Sequence, residues 1–177
     1  MKLNLKIGAA AALLALATSS HALIFTYTGN TSSAPTFNRP LEDLSGLSAV
    51  GTAVRYSSFV FNVSAAGDYT FLTTAEFDSF LLLYSPSFSS LSPLVNARIA
   101  NDDLIAPPFT TSGFAWTLAT GTNYVLVNTG FDLSDFGNFS TTIGGPGVVT
   151  QVPEPAAYAL MALGLAAVAL ARRRRAA

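Results

Sequence analysis

Four side chains in the middle of the chain could together hold a metal ion. Asp78 stands shortly before an apolar run over residues 80–84, and Asn101, Asp102 and Asp103 directly follow a short predicted strand over residues 94–100. Calcium takes about six to eight oxygen ligands from carboxylates, amides and backbone carbonyls on adjustable loops. We therefore predict that these residues bind Ca²⁺. The alternative is that residues 101–103 form a solvated turn bonded to the local backbone, with Asp78 an edge carboxylate outside the core.

Glu76 and Asp78 could instead act as a catalytic pair of carboxylates. Two residues apart on a strand, they would share a face at roughly 7 Å, which suits a glycosidase. Thiol nucleophiles and histidine-dependent triads are excluded by composition, because the sequence has no cysteine and its one histidine is His21, within the N-terminal leader. No aromatic sugar platform accompanies the pair, and Trp116 is expected in the core. We therefore expect a protein without enzymatic activity, and a secreted polysaccharide hydrolase is the alternative.

The part of the chain between its two ends is acidic. Residues 23–152 hold three arginines and nine aspartates and glutamates, a net charge of −6. This charge disfavours nucleic acid as a partner and suits divalent cations. The length predicts a single domain with a sizeable core.

Short strands separated by turn residues must position these side chains. Apolar residues alternate with polar ones over most of the strands, whereas residues 80–84 are apolar on both faces, as in a central strand. With no helical periodicity between them, these strands predict an all-β fold, a β-sandwich or jelly roll, over residues 23–147. The predicted strands are residues 24–28, 55–63, 69–73, 76–84, 94–100, 113–119, 124–128 and 139–143.

Four sequence segments resemble the bacterial pre-peptidase C-terminal domain. They are AGDYTF at 66–71, FDSFLLLY at 77–84, NDD at 101–103 and LATGTNYVLV at 118–127. The resemblance covers about residues 55–143. It implies a β-sandwich that is usually not catalytic and is appended to secreted enzymes, with relatives that bind calcium, collagen or polysaccharide. This chain departs from that arrangement, because we expect no catalytic domain attached to it.

Residues 1–22 are typical of a secretory signal peptide. Lys2 and Lys6 form the positive region, and residues 7–17 form the apolar region. Small residues at Ser20 and Ala22 predict that signal peptidase cuts between Ala22 and Leu23 after export by the Sec route. The alternative is an uncleaved membrane helix.

The C-terminal end combines three features in a fixed order: Pro153-Glu154-Pro155, an uncharged apolar run over residues 156–171, and a cluster of arginines. As a helix the run would span about 24 Å, close to a bilayer core of about 30 Å. The arginines would hold residues 172–177 in the cytoplasm. The arginine cluster is Arg172, Arg173, Arg174 and Arg175.

This order of features resembles the PEP-CTERM sorting signal of Gram-negative bacteria. The resemblance implies that the chain is held transiently at the inner membrane and cut by an exosortase near Pro153, Glu154 and Pro155. The protein would then pass to the cell surface or its exopolysaccharide, with residues 148–155 as linker and motif and residues 156–171 as the transmembrane segment. A permanent membrane anchor is the alternative.

The sequence as a whole thus predicts an exported, non-enzymatic protein of the cell surface or the exopolysaccharide matrix. A calcium-dependent module that binds carbohydrate or protein is the second interpretation.

Overall fold

The structure, a computed structural model, describes residues 22–153, and these residues form ten strands. No residue in this range is helical, so none of it provides a helix long and apolar enough to cross a membrane. The strands are β1 Leu23–Asn30, β2 Thr36–Phe37, β3 Val54–Val63, β4 Gly67–Ala75, β5 Ser79–Tyr84, β6 Ala97–Asn101, β7 Thr111–Leu118, β8 Tyr124–Gly130, β9 Asn138–Gly145 and β10 Val149–Gln151.

These strands build two antiparallel sheets that pack face to face. Sheet I has the order β1-β9-β4-β7, and sheet II has the order β10-β3-β8-β5-β6 with β2 beside β3. The chain passes from sheet I to sheet II between β4 and β5, through residues 76–78. The predicted all-β sandwich is confirmed.

The core between the sheets follows the alternation of apolar residues. Phe59 and Phe61 of β3 and Tyr69 and Phe71 of β4 are all at most 6 % exposed. Consecutive side chains on a strand point to opposite faces, so each strand contributes every second residue to this core. Trp116 packs against this core as expected. The buried members are Phe59, Phe61, Val63, Tyr69, Phe71, Leu81, Leu83, Leu118, Tyr124, Leu126, Ile143 and Val149.

The outer face of sheet II is covered as well. Phe37 of β2 and Phe88 of the β5–β6 connection lie against the sheet, and the ring of Phe88 is 4.7 Å from that of Tyr84. A second apolar cluster forms there, which includes Phe80, Leu82 and Val127. Strands β5 and β8 are consequently buried on both faces, as the sequence predicts for residues 80–84.

One buried polar network connects the two sheets. Asn128 of sheet II accepts hydrogen bonds at its Oδ1 from the hydroxyls of Thr73 and Thr141, at 2.8 and 2.9 Å. Its Nδ2 donates to the Tyr27 hydroxyl at 2.7 Å. Burial raises the pKa of Tyr27, which keeps this phenol protonated. Each of these polar groups therefore has a partner inside an otherwise apolar core.

The C-terminal boundary predicted at residue 147 is wrong. Strand β10 pairs with β3 through Val149 opposite Val63, and Val149 is only 8 % exposed. The peptide N–H of Val152 also donates to the carbonyl of Val60 at 2.8 Å. Half of the predicted linker over residues 148–155 therefore belongs to the sandwich, because an edge strand can be added by backbone hydrogen bonds that leave little signal in the sequence.

Several predicted features lie outside the described residues. These are the signal peptide apart from Ala22, Glu154 and Pro155 of the sorting motif, the apolar run over residues 156–171, and Arg172, Arg173, Arg174 and Arg175.

Candidate metal centre

The antiparallel pairing of β5 with β6 brings the predicted carboxylates together. Asp78 immediately precedes β5, and Asp102 and Asp103 immediately follow β6. The beginning of one strand lies beside the end of its antiparallel neighbour, so the three side chains emerge at the same end of sheet II. One carboxylate oxygen from each of Asp78, Asp102 and Asp103 lies within 4.8 Å of the others.

Each of these three carboxylates has an oxygen without a hydrogen-bond partner. The Oδ1 atoms of Asp78, Asp102 and Asp103 are buried, and no donor from the described residues reaches them. A buried polar atom left unsatisfied costs roughly 1–3 kcal/mol, and more when it is charged. Three such atoms at one place require either protons or a cation.

The pKa values of the three carboxyl groups reflect their burial and the repulsion between their negative charges. Burial raises the pKa of Asp78 to about 6, and the charges of Asp135 and Asp102 add to the increase. Burial also raises the pKa of Asp102 to about 6, with Asp103 as the next cause and Arg39 acting in the opposite direction. The pKa of Asp103 is raised by burial first. The folded chain thus takes up positive charge here more readily than an exposed aspartate would.

Arg39 is a positive charge near the cluster, but its hydrogen bonds go elsewhere. Its guanidinium donates from Nε to the carbonyl of Phe131 at 3.0 Å and from Nη1 to that of Pro40 at 3.1 Å. The group also lies 4.0 Å from the ring centroid of Phe80. The pKa of Arg39 is lowered by burial and raised by the nearby carboxylates, Asp102 first. Arg39 therefore offsets part of the negative charge without satisfying the orphaned oxygens.

Asn101 holds the loop in place through contacts that its side chain makes with two other segments. Its Oδ1 accepts the peptide N–H of Gly113 in β7 at 2.8 Å, and its Nδ2 donates to Oε1 of Glu42 at 3.0 Å. These bonds fix the turn that presents Asp102 and Asp103. Asn101 was predicted as a direct ligand; in the structure its side-chain amide makes these two bonds and lies next to Asp102 and Asp103 in the sequence.

Glu76 and Asp78 do not form the carboxylate pair considered from the sequence. The two residues lie in the connection between the sheets, not on a strand, so the assumption of a shared face is wrong. Glu76 accepts at Oε2 from Asn138 at 2.9 Å, while Asp78 joins Asp102 and Asp103. The hydrolase interpretation loses the geometry on which it depended.

Two further residues near the cluster were not found by sequence analysis. Asp135 lies in the β8–β9 loop, where the N–H of Phe131 donates to the carbonyl of Asp78. Thr111 also has a buried hydroxyl without a hydrogen-bond partner. The backbone carbonyl of Thr111 accepts a hydrogen bond from the N–H of Leu104, the residue directly after Asp103. The aspartates that follow the apolar strand β8 could have pointed to Asp135, whereas Thr111 left no signal.

The donor set fits calcium better than a softer metal. Residues 22–153 offer neither cysteine nor histidine, the usual ligands of zinc, and the three groups that converge are carboxylates. Calcium accepts such hard oxygen ligands in flexible geometry and would complete its shell with carbonyls and water. The residues present therefore suit a hard divalent cation.

Comparison with known protein families identifies the sorting motif. The family model described as the PEP-CTERM protein-sorting motif matches residues 151–175. The chain thus carries the motif predicted from its C-terminal end. Such a motif implies export and a membrane-anchored sorting signal that an exosortase processes.

The structural comparison gives a distant likeness. The chain is similar to the pre-peptidase C-terminal domain of a collagenase from Bacillus anthracis, at 15 % identity and a TM-score of 0.42. The match covers 68 % of this chain and 89 % of that chain. No curated protein matches the chain in sequence.

Proposed function

We propose that the chain is an exported, non-enzymatic module of the cell surface or its exopolysaccharide matrix, and that it binds calcium at Asp78, Asp102 and Asp103. The observation that carries the calcium site is the convergence of three buried carboxylate oxygens without partners. The surface location is supported by the sorting motif at residues 151–175.

A calcium ion would act here as a structural clamp. Asp78 belongs to the connection between the two sheets, whereas Asp102 and Asp103 begin the β6–β7 loop. An ion bound between these segments would replace the repulsion among the three carboxylates with their attraction to the ion. It would thereby hold the β6–β7 loop against the connection between the sheets. A non-enzymatic role agrees with this arrangement, since the site then stabilises the fold and performs no chemistry.

A calcium-dependent binding module is the second candidate. The loop that follows Asp103 exposes three apolar side chains: Leu104 is 50 %, Ile105 62 % and Phe109 47 % exposed. Ordering of this loop by the ion would present those side chains to a partner protein. Binding that requires both calcium and Ile105 would support this candidate.

Titration calorimetry of residues 23–153, after removal of metal with a chelator, tests the calcium site. We expect one ion per chain with a dissociation constant on the order of 10⁻⁴ M, as in extracellular modules. Absence of binding at millimolar calcium would reject the site. The export proposal is tested separately, by locating the protein in cell fractions.

A further inference from the structure

Strand β1 leaves one of its edges without a partner in the described chain. It pairs with β9 along its entire length, from Leu23 opposite Gly145 to Asn30 opposite Asn138. Thr31, the next residue, donates its N–H to the carbonyl directly opposite, that of Gly137. Hydrogen-bonded pairs alternate along an antiparallel ladder, so the odd-numbered residues of β1 bond to β9. The peptide groups of Ile24, Thr26, Thr28 and Asn30 therefore point away from β9.

Other sheet edges in residues 22–153 are each covered in part, shortened or charged. The opposite edge of sheet I is β7, where Asn101 accepts the N–H of Gly113 and the N–H of Leu104 binds the carbonyl of Thr111. In sheet II, β6 has only five residues, carries Arg98 and pairs through a register shift. The edge of β3 is occupied by β2 and β10. Proteins usually protect edges by such means, because a free edge pairs with other chains.

The sequence of β1 has none of these protective features. Its eight residues, LIFTYTGN, include no charge and no proline, and its pairing with β9 shows no bulge. The strand is also packed on the core, since the ring of Tyr27 stacks on that of Phe59 at 4.3 Å. A straight, ordered and uncharged edge is a ready template for another strand.

We propose that β1 pairs antiparallel with β1 of a second copy of this chain. This pairing would join two copies of sheet I into one eight-stranded sheet. The inference goes beyond the function proposed above and does not depend on calcium.

Symmetry and charge favour a second copy over a foreign strand. A two-fold axis places like faces together, so the exposed row of Thr26 and Thr28 meets itself and the half-buried row of Phe25 and Tyr27 meets itself. In the two registers of greatest overlap, Thr26 lies opposite Thr26 or Thr28 of the other copy. The domain carries a net charge of −6, but none of its acidic residues lies on β1. Two copies can therefore approach through this strand without placing like charges opposite each other.

Thr26→Pro provides a direct test, because it removes an N–H that points away from β9 and leaves the backbone bonds between β1 and β9 in place. The one bond to β9 that it removes is that of the Thr26 hydroxyl to the Thr142 hydroxyl at 3.1 Å, on the exposed face. Thr26→Lys is the second variant, since it sets like charges against each other across the axis. Thr74→Lys is the matched control: it adds the same charge to the exposed face of sheet I, on the interior strand β4.

Sedimentation of the exported protein, purified from producing cells, should show a dimer that forms between about 1 µM and 1 mM, the range of weak to moderate affinities. We expect Thr26→Pro and Thr26→Lys to weaken it at least about tenfold and Thr74→Lys to leave it unchanged. A monomer at the highest concentration would overturn the proposal, as would dimers in the Thr26 variants as stable as the original.

Hydrogen exchange keeps the proposal testable if both Thr26 variants fail to fold. In the unmodified protein, the amides of Thr26 and Thr28 should become protected as the concentration rises through the dimer range. The amides of Arg98 and its neighbours on β6 should not change. Unchanged exchange at Thr26 and Thr28 across that range would count against the pairing.

Discussion

Leu81 of β5 lies directly opposite Asn101 of β6 in sheet II. Because the two strands are antiparallel, the residues that precede Leu81 and those that follow Asn101 come out at the same end of the sheet. This single pairing places Asp78 beside Asp102 and Asp103, although they are far apart in the sequence. The candidate calcium site is thus a consequence of strand register.

Asp103→Asn should abolish the response of the domain to calcium. If calcium binds only to the folded state, a free calcium concentration of about 100 times the dissociation constant adds about 2.7 kcal/mol to the free energy of unfolding. For a domain of this size that is roughly a 10 °C increase in melting temperature. Scanning calorimetry with calcium and with chelator should show the increase in the unmodified domain and its loss in Asp103→Asn.

Asp68→Asn is the matched control for this experiment. Asp68 lies at the opposite end of β4 from the cluster and accepts a hydrogen bond from Thr117. The same chemical change there should leave the calcium response intact. An equal loss of response in both variants would mean that calcium acts through the overall charge and not through the cluster.

Without metal, the domain should become less stable as the pH rises from about 4 to about 6. The pKa values of Asp78 and Asp102 are raised from 3.8 to about 6 in the folded state. The folded chain therefore binds more protons than the unfolded chain in this window, and that stabilisation is lost as the pH rises through the folded pKa. Melting temperatures measured in chelator across this window test the sign.

Calcium and Asp102→Asn should both flatten this pH profile. Calcium would supply the positive charge in place of protons, and the substitution removes one of the two groups. The pKa values of Asp43 and Asp132 are lowered by hydrogen bonds from Ser45 and Ser134, so their contributions are lost only at lower pH. A profile in chelator that rises from pH 4 to 6 would contradict the arrangement of the cluster.

Asn128→Ala should destabilise the domain by about 2–3 kcal/mol. The substitution removes the acceptor of Thr73 and Thr141 and the donor to Tyr27, which leaves buried hydroxyls short of partners. Urea unfolding measures the change. Asn123→Ala, at an exposed position, is the control and should alter the free energy of unfolding by less than about 0.5 kcal/mol. Similar losses of stability in Asn128→Ala and Asn123→Ala would show that the hydrogen bonds of Asn128 contribute little.

A fragment that ends at residue 147 should be less stable than one that ends at residue 153. The shorter fragment loses the buried side chain of Val149, worth about 1.5–3 kcal/mol, and the backbone bonds of β10 to β3. We expect a deficit of about 3 kcal/mol by urea unfolding. Equal unfolding midpoints would show that β10 is not part of the stable domain.

Replacement of Pro153, Glu154 and Pro155 by alanine should leave full-length protein in the inner membrane. Proline disfavours a helix, so the two prolines would present Glu154 to a membrane-embedded peptidase. Replacement of residues 172–175 by serine should instead release unprocessed protein, because arginine is costly in the bilayer. Mass spectrometry of the surface fraction distinguishes a cleaved sorting signal from a permanent anchor. A surface form that retains residues 172–175 would identify a permanent anchor.

The sequence by itself determined eight of the ten strands, all but β2 and β10, together with the sorting motif. The strand over residues 55–63 and the central strand over residues 80–84 are both predicted from the sequence, because the pattern of apolar residues along a strand is local. The sorting motif was equally accessible, since its three features follow one another along the chain. Asp78, Asp102 and Asp103 could be named as oxygen ligands from their residue types and from their positions near predicted strands.

Only the tertiary structure decided which of these groups meet. The separation of Glu76 from Asp78, the role of Asn101, the place of Asp135 and the addition of β10 all depend on which strands pair and in which register. Local alternation says which face of a strand is buried but not which strand lies beside it. That choice is made by contacts between residues far apart in the chain, such as Leu81 with Asn101 and Asn128 with Thr73, and these arise only when both sheets are assembled.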